Sequence, residues 1–448
     1  MRFRYSTNEK GKPVKKAAVY TSEEHGIAYS DVDPQAVFIV ERLWANGFET
    51  YIVGGAVRDM ILGKKPKDFD IVSAANPTRI KKIFYNSRII GNRFRLVHVW
   101  FGPKIFEVST FRSMKDGPTS NTFGAIEEDV LRRDFTLNAL FYDPLKQVVV
   151  DFVGGMKDIK AEKIRPIIPL SHIFTDDPVR MIRAIKYGAV TGFKLPLSLR
   201  LRIRRQSSLL SAVSASRLTE EIFKIIHSPH VDRIVDGLDS AGLYQYLQPQ
   251  AATLFKTKHG FRERYLKSLS ALNRPEFKNL PGEALAALIR DFLEDTVDWT
   301  GTSGPPAAYT QSEKNENPVT PSSPWERFKD AFAIARKFVM PMNPPRIELD
   351  RGLKLLFAEH GVTIKRSRFS DSRLKDDRRP SDGRLPKEDS LPKDGRPPKE
   401  ARHPQDDKHP IENPVPESLK TKAVSNRGRR RRKPAKDSGQ TQAPHAES

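Results

Sequence analysis

Cysteine is absent from the 448-residue sequence, which excludes disulfide bridges and thiolate metal sites. Any bound metal ion must therefore be held by oxygen or imidazole ligands. Long apolar runs are absent as well: none approaches the roughly 18 residues of a membrane-spanning helix, and the basic first residues lack the apolar stretch of a signal peptide. We therefore expect a soluble, cytoplasmic protein with no membrane partner.

Acidic residues are the minority among the charged side chains. Lys and Arg total 77 while Asp and Glu total 55, so the formal net charge is +22 at pH 7. Nucleic acid and an anionic membrane surface would both attract this surplus, and a solvated basic surface is the plain alternative. With ordinary domain sizes of roughly 100 to 200 residues, the length allows two or three domains.

Two sequence patterns divide the chain. Residues 35–165 alternate short β-rich runs with helical spacing and Gly or Pro turns, which indicates an α+β domain with a small mixed sheet, preceded by an N-terminal extension at 1–34. The strand signals then fade and apolar residues recur at helical spacing. This pattern predicts a helical neck at 166–230 and a helical body at 231–364, together an all-helical region.

Two segments lack core-forming residues. Residues 301–324 are rich in Gly, Pro, Ser, Thr and Asn, and we interpret them as a surface insertion between helices. In 365–448 hydrophobic residues are sparse, so too little apolar surface exists to offset the entropy of ordering the chain. We expect a disordered basic tail there, whose arginine-rich block at 429–433 can contact RNA phosphates.

A glycine turn follows an early predicted strand. Gly54 and Gly55 allow the backbone to approach a phosphate closely, and a helix that begins there and stops at Gly63 offers free N–H groups. Arg58, in the first turn of this helix, has a guanidinium that can reach the same phosphate. The turn therefore predicts a binding site for nucleotide phosphates.

Two aspartates begin the next predicted strand. Side chains i and i+2 share a face of a strand, so Asp68 and Asp70 should project together and repel each other unless a cation lies between them. Glu107, in a predicted hairpin, is a third candidate ligand, with a solvated glutamate as the alternative. Two Mg²⁺ ions on these carboxylates would stabilise the attacking and leaving oxygens of a phosphoryl transfer.

An Asp-x-Asp pair by itself is weak evidence for catalysis. The chain contains a second such pair, Asp31 and Asp33, which no glycine turn precedes. The Gly-Gly-x-x-Arg-Asp element directly upstream distinguishes Asp68 and Asp70 from that pair. It favours a catalytic role for them.

The ordered motifs resemble the catalytic head of the nucleotidyltransferase superfamily, in the branch of bacterial poly(A) polymerases and tRNA CCA-adding enzymes. The similarity runs from about Val37 to His230 and is highly specific because several motifs occur in order. The motifs that carry it are Gly54-Gly55, Arg58-Asp59, Asp68-x-Asp70, Glu107-Val-Ser-Thr-Phe-Arg112, Arg132-Arg133-Asp134-Phe-Thr-Leu-Asn138-Ala139, Asp151-Phe-Val-Gly-Gly-Met-Lys-Asp158 and Asp176-Asp177-Pro178-Val-Arg180-Met-Ile-Arg183.

The resemblance implies a nucleotide pocket next to the carboxylates. In the family, the residues that match Asp134 and Asn138 complete this pocket, and Arg133 lies beside them. Their spacing of four leads us to expect that Asp134 and Asn138 share a helix face. Helix capping, or an ordinary ion pair with an arginine, is the alternative role for these residues.

A further helix is implied to recognise the incoming base. Pro178 suits a first helical position, and Asp176 and Asp177 before it favour the positive end of the helix dipole. In the family, an acidic pair and a following arginine, here Arg180, present donors and acceptors to the base, and Arg183 lies on the same side. The family usually has glutamate where Asp176 stands, so this acidic side chain is shorter by one methylene group. A capped amphipathic helix without a ligand is the alternative.

From the resemblance we expect a poly(A) polymerase that uses ATP and two Mg²⁺ ions to add AMP to RNA 3′ ends without a template. Residues 90–99 are similar to the corresponding motif of poly(A) polymerases, and the basic tail resembles the arginine-rich ends of these enzymes. The alternatives are CCA or A addition to tRNA, and a catalytically inactive RNA-binding protein, against which the intact carboxylates argue. Four arginines of the neck are candidates for RNA phosphate contacts or for a solvated helix face: Arg200, Arg202, Arg204 and Arg205.

Overall fold

A mixed β-sheet organises the N-terminal part of the chain in the computed structural model. The structure describes residues 2–7, 13–91, 96–113, 122–274, 280–299, 301 and 323–364, all of which belong to one compact unit. The predicted tail at 365–448 and most of the predicted insertion at 301–324 lie outside the described residues.

Within those ranges nine strands form one sheet in the order β1-β2-β9-β8-β3-β4-β7-β6-β5. Its neighbours are antiparallel except for β4 and β7, which are parallel, so the sheet is mixed as predicted. The strands are β1 Arg2–Thr7, β2 Pro13–Tyr20, β3 Thr50–Val53, β4 Asp70–Ser73, β5 Ser87–Ile90, β6 Leu96–Phe101, β7 Lys104–Thr110, β8 Leu140–Asp143 and β9 Val148–Asp151.

The predicted N-terminal extension contributes to this sheet. Strands β1 and β2 form a hairpin, and Val19 of β2 pairs with Val150 of β9. Arg4 of β1 donates to Glu49 and Tyr51 beside the central strand β3. The extension therefore widens the sheet at the edge opposite β5.

Seventeen α-helices complete the described part of the chain. Seven of them accompany the sheet or lead directly out of it: α1 Ser22–His25, α2 Pro34–Ala45, α3 Gly55–Ile61, α4 Pro77–Ile83, α5 Ile126–Arg132, α6 Gly155–Lys160 and α7 Ile173–Asp176. The others form the helical region: α8 Val179–Thr191, α9 Leu197–Gln206, α10 Ala215–Ile226, α11 Val231–Ser240, α12 Tyr244–Leu247, α13 Pro249–Thr257, α14 Phe261–Ser270, α15 Pro281–Glu294, α16 Pro324–Phe338 and α17 Arg346–Glu359. None of the described helices is both long and apolar enough to cross a membrane.

Helix starts follow capping chemistry that is visible in the sequence. Asp33 accepts a hydrogen bond from the Gln35 backbone at the start of α2, and Pro34 occupies the first helical position. Asp33 also pairs with Lys104 at 2.7 Å. The second Asp-x-Asp pair thus includes a helix cap, so it resembles Asp68 and Asp70 only in spacing.

Strand alternation separates two hydrophobic clusters. Ile52 and Ile71 face the larger cluster, which continues through the helical region, whereas Tyr51, Val53 and Val72 face a smaller cluster on the other side of the sheet. The larger cluster packs against α2, α3 and α4, and the smaller one is covered by α5. The carboxylate face of the sheet is the one with the smaller cluster.

The helical region packs closely enough to need glycine at one crossing. A Cβ on Gly352 of α17 would lie 2.6 Å from the carbonyl oxygen of Gly282 in α15, so only glycine lets these helices approach. Phe292 of α15 stacks on Phe338 of α16 with ring centroids 4.1 Å apart. The mixed sheet followed by helices confirms the predicted fold class.

A buried aspartate closes the turn after β9. Asp151 accepts hydrogen bonds from four backbone N–H groups, those of Val153, Gly154, Gly155 and Met156, at 2.8 to 3.1 Å. The start of α6 has no other acceptor of this kind among the described contacts. The Asp-x-x-Gly-Gly motif therefore stabilises the fold and orients α6.

We predict that Asp151→Ala lowers the free energy of unfolding by about 2 to 4 kcal/mol, because it leaves buried donors without an acceptor. Asp151→Asn should lose less, since an amide oxygen can replace Oδ1, which receives three of the four bonds. Urea unfolding measures both, with exposed Asp330→Ala as control. Equal stability of Asp151→Ala and the control would contradict this role.

Candidate active site

The glycine turn places Asp70 at the centre of the site. Asp70 opens β4 and pairs with Val53, the last residue of β3, so its carboxylate lies against the turn that follows. A Cβ on Gly54 would be 3.4 Å from Asp70 Oδ2, and Gly54 has a positive φ of 75°. The positive φ therefore favours glycine in this turn, and the turn lies in van der Waals range of the Asp70 carboxylate.

Asp68 lies two residues before the start of β4. The expectation that both aspartates belong to the strand is therefore correct only for Asp70, and β-pairing does not orient Asp68. Phe69 between them is partly buried against the larger cluster, while Asp68 and Asp70 are solvent-exposed.

Strand register brings Glu107 to the same face as Asp70. Val108 of β7 pairs with Ile71 of β4, and Glu107 pairs with His98 of β6. The Nε2 atom of His98 lies 3.5 Å from a carboxylate oxygen of Glu107. The β6–β7 pairing confirms the predicted hairpin, and its alternation directs Glu107 away from the larger cluster that contains Phe106 and Val108.

The electrostatics of this face disfavour negative charge on Asp70. Its carboxylate is accessible from one side, but surrounding protein removes much of its hydration, and this desolvation with the nearby Glu107 and Asp68 raises its pKa to about 6. Arg133 acts in the opposite direction. An oxygen donor set with such repulsion suits a hard divalent cation.

In the described ranges no three His, Asp or Glu side chains already converge on one point as a preformed metal cluster. The fit to a cation rests instead on the mutual repulsion of the carboxylates. Asp68, Asp70 and Glu107 are the residues that would hold it.

Asp134 connects the sheet to the helical region. Its two carboxylate oxygens accept from Arg180 Nε at 2.7 Å and from Arg183 Nη1 at 2.8 Å. Arg180 is buried and also donates to the carbonyl oxygen of Ile173. Arg183 continues to Glu221 of α10 at 3.0 Å. Two arginines of helix α8 thus bind the same aspartate, which lies between α5 and the strand β8.

The expectation that Asp134 and Asn138 share a helix face is wrong. Helix α5 ends at Arg132, Arg133 is extended, and the next short helical turn, of the 3₁₀ type, spans Thr136–Asn138. The break separates Asp134, which turns towards α8, from Asn138, which turns towards α3.

Arg58 and Arg133 meet at Asn138. Arg58 Nη1 donates to the Asn138 side chain at 2.8 Å, and Arg133 Nη1 donates to its carbonyl oxygen at 3.3 Å. Arg133 is also paired with Asp129 of α5 at 2.9 Å. Three residues of the predicted nucleotide pocket, Arg58, Arg133 and Asn138, are therefore joined by hydrogen bonds, whereas the Asp134 carboxylate contacts Arg180 and Arg183 instead.

Asp177 is oriented by a residue that the sequence motifs did not indicate. Its carboxylate accepts from Arg217 of α10 at 2.6 Å and from the backbone of Val179 at 3.2 Å. Asp176 is exposed at the end of α7. Arg180, by contrast, is directed at Asp134. Asp177 and Arg180, which the sequence predicts to recognise the base together, therefore have different partners.

Lys186 is a second residue absent from the motif-based prediction. Burial lowers its pKa to about 8; the acid facing it is Glu221 of α10, and the cations facing it are Lys224 of α10, Arg183 of its own helix and Arg58 of α3. No hydrogen bond or ion pair of its amine is found among the described residues. A sequence signal exists, because Arg180, Arg183 and Lys186 recur every three residues on α8.

Two segments match known protein families. Residues 50–165 match the family model described as the poly A polymerase head domain, and residues 192–255 match the one described as the probable RNA and SrmB-binding site of polymerase A. The resemblance stated from the motifs is confirmed for these segments.

The chain is also similar to curated proteins over part of its length. It is 39% identical over 261 residues to "Poly(A) polymerase I" of Escherichia coli O6:H1, which covers 55% of this chain and 56% of that protein. It is 33% identical over 240 residues to "CCA-adding enzyme" of Geobacillus kaustophilus, covering 52% and 59% respectively. The chain therefore spans little more than half the length of these relatives.

A solved structure of a Bacillus stearothermophilus CCA-adding enzyme in complex with CTP aligns with a TM-score of 0.47 and 23% identity. The alignment covers 74% of this chain and 84% of the other. The similarity concerns the general architecture only.

We predict that Lys186→Met raises the free energy of unfolding at pH 7 by about 1 to 2 kcal/mol, because a buried ammonium is costly. The folded pKa lies below the usual 10.5, so the unfolded chain binds more protons between about pH 8 and 10.5, and wild-type stability rises with pH in that window. The advantage of the variant should therefore shrink at pH 10.

Urea unfolding at both pH values measures the effect, and the exposed Lys160→Met is the control. A Lys186→Met protein that is less stable than wild type at pH 7 would show that a partner stabilises the ammonium.

Proposed function

We propose that this chain is a template-independent nucleotidyltransferase that adds AMP from ATP to RNA 3′ ends. The observation that carries the proposal is the contact of Asp70 with the glycine turn, next to Glu107 on an accessible sheet face. In the proposed reaction the 3′-hydroxyl oxygen of the RNA bonds to the α-phosphorus of ATP. The bond from that phosphorus to the pyrophosphate oxygen breaks, pyrophosphate leaves, and the hydroxyl proton is released to water.

Asp68, Asp70 and Glu107 are the proposed Mg²⁺ ligands. Two Mg²⁺ ions bound there would neutralise charge that develops on the attacking and leaving oxygens. The protein's own part is to hold Asp70 in place through the β3–β4 pairing and to keep the space above Gly54 free for phosphates. The carboxylate pair needs a compensating cation, and the raised pKa of Asp70 supports this role.

The nucleotide is proposed to lie between the sheet and helix α8. Gly54, Gly55 and Arg58 are on the phosphate side, and Arg133 with Asn138 borders the same space. On the helix side, Arg217 and the Val179 backbone orient the carboxylate of Asp177. Arg180 and Arg183 keep helix α8 in place through their ion pairs with Asp134. The arginines around this space are paired with aspartates, so the Mg²⁺ ions would compensate most of the phosphate charge.

RNA is the proposed second substrate, bound in part by the helical segment 192–255. Arg200, Arg204 and Arg205 on α9 are exposed and Arg202 is partly exposed, and no ion pair involves any of them in the described part of the chain. They are therefore available to phosphates.

The second candidate is CCA or A addition to tRNA. The 33% identity to a CCA-adding enzyme supports it, but the 39% identity to poly(A) polymerase I favours poly(A) synthesis. A labelling reaction with generic RNA and with tRNA lacking its 3′ end, supplied with ATP or CTP, separates the two.

We predict that Asp68→Ala and Asp70→Ala remain folded but lose AMP incorporation by about a hundredfold or more, since each removes a proposed metal ligand. Glu107→Ala should also be severely impaired. Asp31→Ala, an exposed aspartate from the other Asp-x-Asp pair, is the matched control. Incorporation by Asp68→Ala or Asp70→Ala at the level of Asp31→Ala would remove the mechanism proposed here.

Nucleotide choice gives a further prediction. Wild type should add ATP repeatedly to unstructured RNA and CTP poorly, and Asp177→Ala should reduce this preference by roughly ten- to a hundredfold, because a buried hydrogen bond to the base is worth about 1 to 3 kcal/mol. Arg217→Ala, which retains the Asp177 carboxylate but frees it, should reduce the preference less. Ordered addition of two cytidines and one adenosine to truncated tRNA, without adenosine runs on other RNA, would decide for the CCA-adding reading.

A further inference from the structure

A long stretch of the head contains only positive charge. Between Asp70 and Glu107 the sequence has no Asp or Glu. It has seven basic residues in that interval: Arg79, Lys81, Lys82, Arg88, Arg93, Arg95 and Lys104. The part of this interval that carries α4 and β5 is described by the structure, and Arg79, Lys82 and Arg88 are exposed in it.

A cationic cleft lies between α2 and α4. Its volume is about 430 Å³, and Arg42, Arg79 and Lys82 line it together with Asn46, Phe48 and Ile83. No carboxylate lines this cleft. Within the described ranges none of its three cations forms an ion pair, so their charge is uncompensated by protein.

An exposed aromatic ring, that of Tyr85, follows Lys82 by three residues in the sequence. Tyr85 follows the end of α4 and is 99% exposed, although its neighbour Phe84 is buried in the larger cluster. A fully exposed tyrosine buries none of its ring in the fold. Exposed aromatic rings beside basic side chains are the combination that binds single-stranded nucleic acid, because bases stack on the ring while cations contact phosphates.

Strand register places Arg88, three residues after Tyr85, on the sheet face that carries Asp70. Arg88 of the edge strand β5 pairs with His98, which pairs with Glu107, so these three side chains share the face of Asp70. Three strand spacings separate Asp70 from Arg88, a distance of about 14 Å. Helix α4 lies on the other face, where Ile80 packs in the larger cluster. Arg88 and the cations of the cleft therefore lie on opposite faces of the sheet, and Tyr85 lies in the segment that connects α4 to β5.

We propose that Arg42, Arg79, Lys82, Tyr85 and Arg88, here called the edge surface, bind single-stranded RNA upstream of the 3′ end that reacts. The inference rests on the proposed function, because it assigns the same RNA substrate to a second contact. Arg88 receives the strand as it leaves the catalytic face, Tyr85 stacks on one base, and the cleft between α2 and α4 binds the following phosphates.

The first test is the affinity of the full chain for an unstructured RNA of about 20 nucleotides, enough to pass the catalytic face and reach the edge. Tyr85→Ala should bind this RNA about five- to a hundredfold more weakly, the usual effect of removing one base-stacking ring. Tyr85→Phe keeps the ring and should bind like wild type. The Michaelis constant for RNA should rise with the dissociation constant in Tyr85→Ala, and that for ATP should not.

The second test is the salt dependence of binding. Arg79→Ala combined with Lys82→Ala removes two phosphate contacts, so the slope of log affinity against log salt should fall by about 1.4. Lys157→Ala combined with Lys160→Ala removes two exposed charges from helix α6 and is the matched control, whose slope should remain that of wild type.

The outcomes separate the inference from the function. Wild-type AMP incorporation with unchanged RNA affinity in Tyr85→Ala, or with equal salt slopes in both double variants, overturns the edge surface and leaves the proposed function standing. Such a result would assign the patch to an acidic protein partner. A wild-type protein that binds this RNA but labels none of it with ATP or CTP overturns the function instead.

Discussion

The Asp134 carboxylate is the interaction on which the rest of the site depends. It lies in the segment between α5 and the 3₁₀ turn at Thr136–Asn138, and it accepts from both Arg180 and Arg183 of α8. Because Arg180 is buried, removing its partner would leave an uncompensated charge inside the protein. The sheet, which carries the carboxylates, and the helices therefore share one ion-pair cluster.

That cluster also determines which groups are free to meet a substrate. Burial alone would lower the pKa of Arg183, but Asp134 and Glu221 outweigh it and raise the pKa. Arg180 and Arg183 are thus neutralised by protein, whereas no ion pair of Lys186 is found in the described part of the chain and burial lowers its pKa to about 8. Basic side chains without an acidic neighbour are therefore the ones that can bind a polyanion.

The distribution of unpaired charge divides the sheet domain into an acidic and a basic surface. On the sheet face that carries Asp70 and Glu107, carboxylates repel one another and need a cation. Around the β5 edge, basic side chains have no acidic neighbours in the sequence from 71 to 106 and need an anion. A protein that brings a metal-bound nucleotide to an RNA end requires both conditions, at a distance that a short strand of RNA can span.

Much of the fold followed from local patterns. The β-runs before Gly54 and after Phe69, the glycine turn and the helix that stops before Gly63 are all present, because strand alternation and glycine turns are decided by neighbouring residues. The outward direction of Glu107 followed from the same alternation. The helix expected through Asp134 and Asn138 did not form, since a spacing of four residues describes a helix face only where the helix continues.

By itself, then, the sequence determined the mixed sheet followed by helices, the candidate carboxylates and the surplus of basic residues, because these depend on residue type and short spacing. Only the tertiary structure decided which partner each arginine takes. Arg180 is directed at Asp134, 46 residues away, and Asp177 at Arg217, 40 residues away. Such pairings depend on how α5, α8 and α10 pack, and side-chain packing between distant segments has no periodic signal in the chain.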